Sequence, residues 1–413
     1  MLFFGMLRAL IRHGQLVVID TDGRRHEFGG QPGRKVTIRL HNRQILTHLF
    51  LRPRMMVGQA FMDGTLTVEE GSIYDFLMLA MHNIETAPRS IYSPFWSGLT
   101  SAIRHLHQYN PIKRARDNAA HHYDLSGALY DLFLDADWQY SCAYFERPDD
   151  DLDTAQTNKK RHIAAKLRLE PGMKVLDIGC GWGGLALYLA RETGADVTGL
   201  TLSVEQCKLA TERARQAGLA DRVRFKLQDY RTENGIYDRI VSVGMFEHVG
   251  VVHFPQFFDM IRSRLTEDGV ALLHAIGRRD RPGDTNPWIR KYIFPGGYAP
   301  ALSEVLPAIE RADLWVTDIE ILRLHYAQTL RHWRLRFLAN RDRAKALYDE
   351  RFCRMWEFYL ASAEATMRVG GQMVFQIQLT RKIDAVPITR SYIGEWEQGH
   401  RAVVSVDEPL IAS

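Results

Sequence analysis

A carboxylate at the end of an apolar run, followed at once by spaced glycines, is the first place in this sequence where residue types and spacing suggest chemistry. In Val175-Leu176-Asp177-Ile178-Gly179-Cys180-Gly181-Trp182-Gly183-Gly184 a buried strand breaks into a tight turn, and a helix starts near Leu185. Gly179, Gly181 and Gly183 let the backbone turn sharply and come close to a ligand, while the first N–H groups of the helix face the same place. Asp177 turns a carboxylate to that spot, which suits an amine or hydroxyl better than a phosphate, so the expected ligand is a small zwitterion. A second strand, from Asp196, ends in Gly199-Leu200-Thr201-Leu202-Ser203, with Gln206 one helical turn on. A nicotinamide site usually has Asp or Glu at that strand end to hold the ribose diol. Thr201, Ser203 and Gln206 stand there instead, which argues against a nicotinamide oxidoreductase. Gln228-Asp229-Tyr230 follows a third strand, where Asp229 can accept from an adenine amino group and Tyr230 can cover the base; the plainer alternative is a polar strand end with a packed ring.

Two more groups stand at strand ends. Glu247, in Gly244-Met245-Phe246-Glu247-His248-Val249-Gly250, is costly to bury in an apolar run unless it is paired. The bland reading pairs it with His248. His274 interrupts Leu272-Leu273-His274-Ala275-Ile276-Gly277, where it is either a catalyst or a satisfied core residue. Further upstream, His121-His122-Tyr123-Asp124-Leu125-Ser126 and Trp138-Gln139-Tyr140-Ser141-Cys142-Ala143-Tyr144-Phe145 are too rich in polar aromatics for a simple capping segment.

The elements that must position these residues alternate regularly. A helix over Thr154 to Leu169 leads into strands at Val175 to Ile178, Val197 to Leu200, Val223 to Leu227, Arg239 to Val243 and Val270 to His274, with helices between. This predicts an α/β fold with a mostly parallel, doubly wound sheet, whose ligands belong at the carboxyl ends of the strands. Trp315 to Leu322 and Met373 to Arg381 would complete it as an antiparallel pair, with helices around Thr329 to Asn340 and Arg343 to Arg368 between them. Residues 1–110 have a different texture and form a smaller N-terminal α+β domain. In it Leu16 to Asp20 is a strand, Asp22-Gly23 supplies turn chemistry, Lys35 to His41 alternates, and a helix lies around Ile73 to Met81. Pro88, Pro94 and Pro111 punctuate a linker from Ala87 to Lys113, and residues 111–413 form the catalytic domain.

Composition sets bounds on all of this. The 413 residues, 46% hydrophobic and 25% charged, suit a globular protein of two domains. No apolar run reaches the ~18 residues of a spanning helix, and no processing site follows Leu2 to Leu10, so a cytoplasmic location is expected. Cys142, Cys180, Cys207 and Cys353 lack metal-ligand spacing, so no metal site is expected. A net charge of +4 gives no case for a nucleic-acid partner. The arginines cluster at Lys113 to Arg116, Arg278 to Arg281 and Arg331 to Arg343, which would suit either an anionic membrane surface or solvated helix faces.

The strand-turn-helix at Asp177 and the Thr201 to Gln206 segment together resemble the S-adenosylmethionine site of class I methyltransferases. Within these the chain is most similar to the cyclopropane-fatty-acid-phospholipid synthases and the mycolic acid cyclopropane synthases. His122 to Ser126, Gln139 to Phe145 and Tyr292-Ile293-Phe294-Pro295-Gly296-Gly297 carry the resemblance, and Gly58-Gln59-Ala60-Phe61-Met62-Asp63-Gly64 extends it to the N-terminal domain of the bacterial phospholipid enzymes. Where the family commonly has Met ahead of Gln139, this chain has Trp138, which alters the pocket wall. The resemblance implies that Tyr140 and Ser141 close over S-adenosylmethionine and that a bicarbonate ion is held by Cys142, Glu247, His274, Ile276 and Tyr326. It further implies a cis-unsaturated phospholipid substrate entering by Tyr292 to Tyr298, a homodimer, and peripheral contact with the inner face of the membrane. Addition of a methyl branch, or methylation of an amine, is the neighbouring alternative.

Overall fold

The computed structural model of the chain describes residues 2–87 and 127–400. The linker beyond Ala87, the basic run at Lys113 and the His121 to Ser126 motif lie outside the described residues.

The N-terminal unit begins with α1 (Leu2–Leu10), followed by β1 (His13–Ile19), β2 (Arg25–Gly29) and β3 (Gln31–Leu40), then α2 (Gln44–Leu51), α3 (Pro53–Met62), β4 (Leu66–Glu70) and α4 (Ile73–Thr86). Its strands pair in the order β2-β1-β3-β4. Gly23, at φ +79°, makes the turn between β1 and β2 that Asp22-Gly23 predicts. Val36, Ile38 and Leu40 are buried as the alternation requires. Ser72 and Asp75 cap α4 reciprocally, and the Asn83 side chain at its far end accepts from the backbone N–H groups of Arg12 and His13. The apolar core is continuous across the expected boundary near residue 110, running from Phe3 and Val36 to Trp333, Trp356 and Val374.

The second sheet is preceded by α5 (Gly127–Tyr130) and α6 (Leu152–Leu167). It runs β5 (Lys174–Ile178), α7 (Gly184–Thr193), β6 (Asp196–Thr201), α8 (Val204–Gln216), β7 (Val223–Leu227), β8 (Tyr237–Val243), α9 (Phe254–Arg264) and β9 (Leu265–Arg278). There follow α10 (Pro287–Tyr292), α11 (Leu302–Arg311), β10 (Trp315–Ile321), α12 (His325–Ala339), α13 (Arg341–Leu347), α14 (Glu350–Val369), β11 (Gln372–Thr380) and α15 (Ser391–Gly399). Seven strands lie in the order β10-β11-β9-β8-β5-β6-β7. β5 to β9 pair in parallel, and β11 is antiparallel to both β9 and β10. The chain winds outward from β5 to β7 and then returns to β8 on the other side of β5. This makes β5/β8 the switch point, where side chains from both halves converge above the strand ends.

The helices α12 to α14, inserted between β10 and β11, tie the two sheets together. Arg334 on α12 forms a buried pair with Glu364 on α14 and lies 4.2 Å over the ring of Tyr74 on α4. Gly58 on α3 is required for close packing, because a Cβ there would come within 2.9 Å of Trp288 and Phe358. No helix among the described residues is long and apolar enough to cross a membrane.

Candidate active site

The turn after β5 has Gly179, Gly181 and Gly183 all in the left-handed region, at φ +82°, +55° and +84°. This is the region other residues reach only at a cost. The N–H groups of Gly179 and Cys180 both donate to the Leu200 carbonyl at 2.9 Å, so the turn is anchored to β6 rather than left loose. A cleft opens above it, lined by Tyr140, Ser141, Asp177, Gly179, Gly181, Thr201, Ser203, Gln206, Asp229 and Tyr230. Gly183 is the expected cofactor residue that is not on this wall. A Cβ at Gly183 would meet Phe225 at 2.6 Å, so it serves helix packing beneath the turn.

Each wall residue is held by its own element. Asp177 ends β5 buried, and its Oδ2 has no hydrogen-bond partner among the described residues. Burial raises its proton affinity and a nearby lysine, Lys159, lowers it, leaving a pKa of about 7. At the end of β6, the Thr201 hydroxyl donates to Gln206 Oε1 at 2.7 Å, and Ser203 caps α8 by accepting from the Gln206 N–H. Asp229 is gripped by Arg231, whose Nε and Nη2 donate to its two oxygens at 2.8 and 2.7 Å. A carboxylate has about four acceptor sites, so a further amino hydrogen can still be taken. Tyr230 packs edge-on against Phe257, 5.4 Å away, and its burial pushes its hydroxyl pKa up.

The strap Trp138 to Ser141 closes the other side. Trp138 adopts φ 56° and lines the cleft, with its indole N–H on Asp131 at 2.8 Å and its ring against Trp182. Tyr140 stacks on Trp333 with centroids 5.1 Å apart and shares a 2.8 Å hydrogen bond with the Tyr359 hydroxyl. Phe294, in the Tyr292 to Tyr298 segment, packs on Tyr359 at 5.7 Å. The Tyr292 hydroxyl donates to Gln59 and Arg351 pairs with Asp63, so the Gly58 to Gly64 segment braces the aromatic segment from behind.

The five residues expected around an anion fall into two groups. Glu247 Oε1 accepts the Ile276 N–H at 2.6 Å, so this N–H, expected to face an anion, is turned to Glu247. Glu247 Oε2 has no partner among the described residues, and burial raises the carboxyl pKa to about 7. His274, two residues back on the same face of β9, receives the Gln376 amide nitrogen on Nδ1 at 3.2 Å, so its ring proton sits on Nε2. Burial lowers its pKa to about 3, which keeps the ring neutral. Cys142 and Tyr326 form the second group through α12, since Ala143 N–H donates to Thr329 Oγ1 at 3.0 Å, one turn from Tyr326. The Cys142 thiol is pushed up by burial and is no nucleophile at neutral pH. His248 lines the glycine-turn cleft with a pKa lowered to about 4 by burial.

Sequence reasoning passed over Arg231 and Lys159. Arg231 is foreshadowed by its place two residues after Asp229. Lys159 has no such signal, for it lies in a polar helix that reads as exposed and is in fact buried.

A mostly parallel seven-stranded sheet of this order, with a glycine turn and a carboxylate at its switch point, defines a class I S-adenosylmethionine-dependent methyltransferase. The chain belongs to the mycolic acid cyclopropane synthetase family, whose model matches residues 111–377. It is 36% identical over 347 residues to the cyclopropane-fatty-acyl-phospholipid synthase of Escherichia coli, covering 84% of this chain and 88% of that one. It is also 36% identical over 369 residues to a probable fatty acid methyltransferase of Pseudomonas putida, covering 86% and 89%. Among solved structures, the mycolic acid cyclopropane synthase CmaA1 complexed with SAH and CTAB superposes with a TM-score of 0.62 at 34% identity, over 66% of this chain and 99% of that one.

Proposed function

We propose that the protein transfers a methylene group from S-adenosylmethionine to the cis double bond of phospholipid acyl chains, as a homodimer at the inner face of the membrane. The alkene attacks the sulfonium methyl carbon, the carbon–sulfur bond breaks to release S-adenosylhomocysteine, and a carbocation is left on the chain. Loss of a proton from the new methyl group then lets the ring close. Bicarbonate, when bound, supplies the base for that proton. The observation that carries this reading is the buried Glu247, whose Oε2 lacks a partner among the described residues, just past the end of the strand that pairs with the one carrying a neutral His274 with an N–H to give. Such a pair fits an anion that itself carries a proton: Glu247 Oε2 accepts the anion's O–H while His274 Nε2 and the Tyr326 hydroxyl donate. Tyr140, on the cleft wall and backed by Trp333, and Phe294 offer aromatic rings that stabilise a cation without quenching it, as water would. The division into residues 1–110 and 111–413 assigns the first part to lipid or dimer contacts.

A second reading has support from the fatty acid methyltransferase relative: the same carbocation loses a proton without ring closure, from a neighbouring chain carbon to leave a methyl-branched alkene or, after a hydride shift, from the new methyl group to leave a methylene branch. Incubation with cis-unsaturated phospholipid vesicles and methyl-labelled S-adenosylmethionine tests both. Cyclopropane protons in the product NMR spectrum are expected; branch signals favour the alternative, and no label in lipid overturns both.

Membrane docking by the arginine clusters is expected to be weak. Arg279, Arg334, Arg336 and Arg341 are already paired with carboxylates of the same chain. Raising salt should lower turnover on anionic vesicles only a few-fold, since exposed charges are screened beyond ~8 Å. An equal salt response on dispersed lipid would show that docking is not the cause.

A further inference from the structure

Helix α6 buries a row of basic side chains, and all but one have an acidic partner. Lys160 pairs with Asp137 at 2.6 Å, Arg161 with Glu146 at 2.6 Å, His162 with Glu320 at 2.8 Å, and Lys166 with Glu320 and Asp318. Lys159, 1% exposed, forms no ion pair among the described residues. Its Nζ donates instead to two neutral oxygens, Gln139 Oε1 at 2.7 Å and Ser141 Oγ at 2.8 Å. One turn earlier on the same helix, the Gln156 amide donates to the carbonyls of Gln139 and Ser141, both at 3.0 Å. A buried ammonium with carboxylates nearby but none in direct contact is costly, and an apolar residue of the same volume would pack there at lower cost. Gln139, Ser141 and Asp177 all line the cofactor cleft, so the charge is spent directly behind its wall.

We propose that Lys159 is a positioning residue for the cofactor: it fixes the 139–141 strap and supplies the positive field that keeps Asp177 ionised to receive the amine of S-adenosylmethionine. This rests on Asp177 being that acceptor. The charged and titratable groups facing Lys159 are Asp135, Asp137, Cys142, Lys160 and Asp177, and it is also felt by His274 on β9; Asp177 in turn faces Cys180. Burial lowers the Lys159 pKa to about 8, so the lysine is charged below that pH and neutral above it. Asp177, with a pKa of about 7 beside the charged lysine, should hold its proton to higher pH once that charge is gone.

The test is the pH dependence of S-adenosylhomocysteine affinity, measured by calorimetry on wild type and Lys159→Met. The ligand's own titration cancels in the ratio of the two dissociation constants. At about pH 9 the lysine is neutral in wild type, so the ratio should reach a low plateau that keeps only the lost strap hydrogen bonds to Gln139 and Ser141. As pH falls to about 7 the ratio should rise above that plateau, roughly fivefold if the lost charge raises the Asp177 pKa by one unit. A side chain that merely packs gives a ratio independent of pH, which overturns the proposal. Wild-type affinity that does not fall as pH drops through about 7 overturns the role of Asp177 and this proposal with it, whereas a normal wild-type profile with a flat ratio overturns Lys159 alone. If Lys159→Met does not fold, Lys159→Gln, which keeps an N–H donor for the strap, gives the same two readouts.

Discussion

Gly179→Val is expected to abolish S-adenosylmethionine binding in a chain that still folds. At φ +82° a β-branched residue is strained by about 1–3 kcal/mol. Its Cβ would also sit 2.7 Å from Met245 Cβ, on the cleft wall, so that Met245 or the turn must move. Strain and clash together should cost affinity on the order of a hundredfold or more, each tenfold being about 1.4 kcal/mol. Gly181→Val provides the contrast. At φ +55° its backbone is strained too, yet a Cβ there meets no protein atom within 4 Å, so lost affinity at Gly181 reports space kept for the ligand. Calorimetric titration, with circular dichroism to confirm folding, measures both. Unchanged affinity in folded Gly179→Val would sink the assignment of the turn to the cofactor.

The second large effect should separate turnover from cofactor binding. Glu247→Ala and His274→Ala remove the two side chains proposed to hold the base, so turnover should drop by roughly the 10²–10⁴ of a positioned proton acceptor. Affinity for S-adenosylmethionine should stay near that of wild type. Added bicarbonate should partly restore Glu247→Gln, because mass action refills a weakened site, and should do nothing for Gly179→Val. If Glu247 and His274 are merely core residues, their replacement lowers thermal stability and no variant responds to bicarbonate. The wild-type control is decisive on its own: in carbonate-depleted buffer, activity should rise as bicarbonate is titrated back, and a flat response rules out a bound base.

The sequence by itself determined the parallel sheet and the residues that line the cleft above it. Both depend on short-range patterns, namely apolar runs of strand length, glycines at a turn, and polar residues at the next strand ends. Parallel strands place all their carboxyl ends on one edge, so Asp177, Thr201 and Asp229, far apart in the chain, must meet once the sheet is formed. The alternation in β3 and the turn at Gly23 were legible for the same local reason. Only the tertiary structure decided what lies behind that wall. Gly183 shares its spacing with Gly179 and Gly181, but Phe225 and Ala210, brought up by β7 and α8, make it a packing residue. Ile276 turns its N–H to Glu247 because β8 and β9 end side by side. Helix α6 carries Lys159, Lys160, Arg161 and His162 in succession, a kind of run that usually faces water. It is buried because the 135–150 segment and β10 supply carboxylates to its basic side chains from distant parts of the chain. For Lys159 the same segment puts Asp135 and Asp137 nearby but, among the described residues, makes no direct ion pair, and that difference is set by three-dimensional packing and leaves no pattern in the sequence.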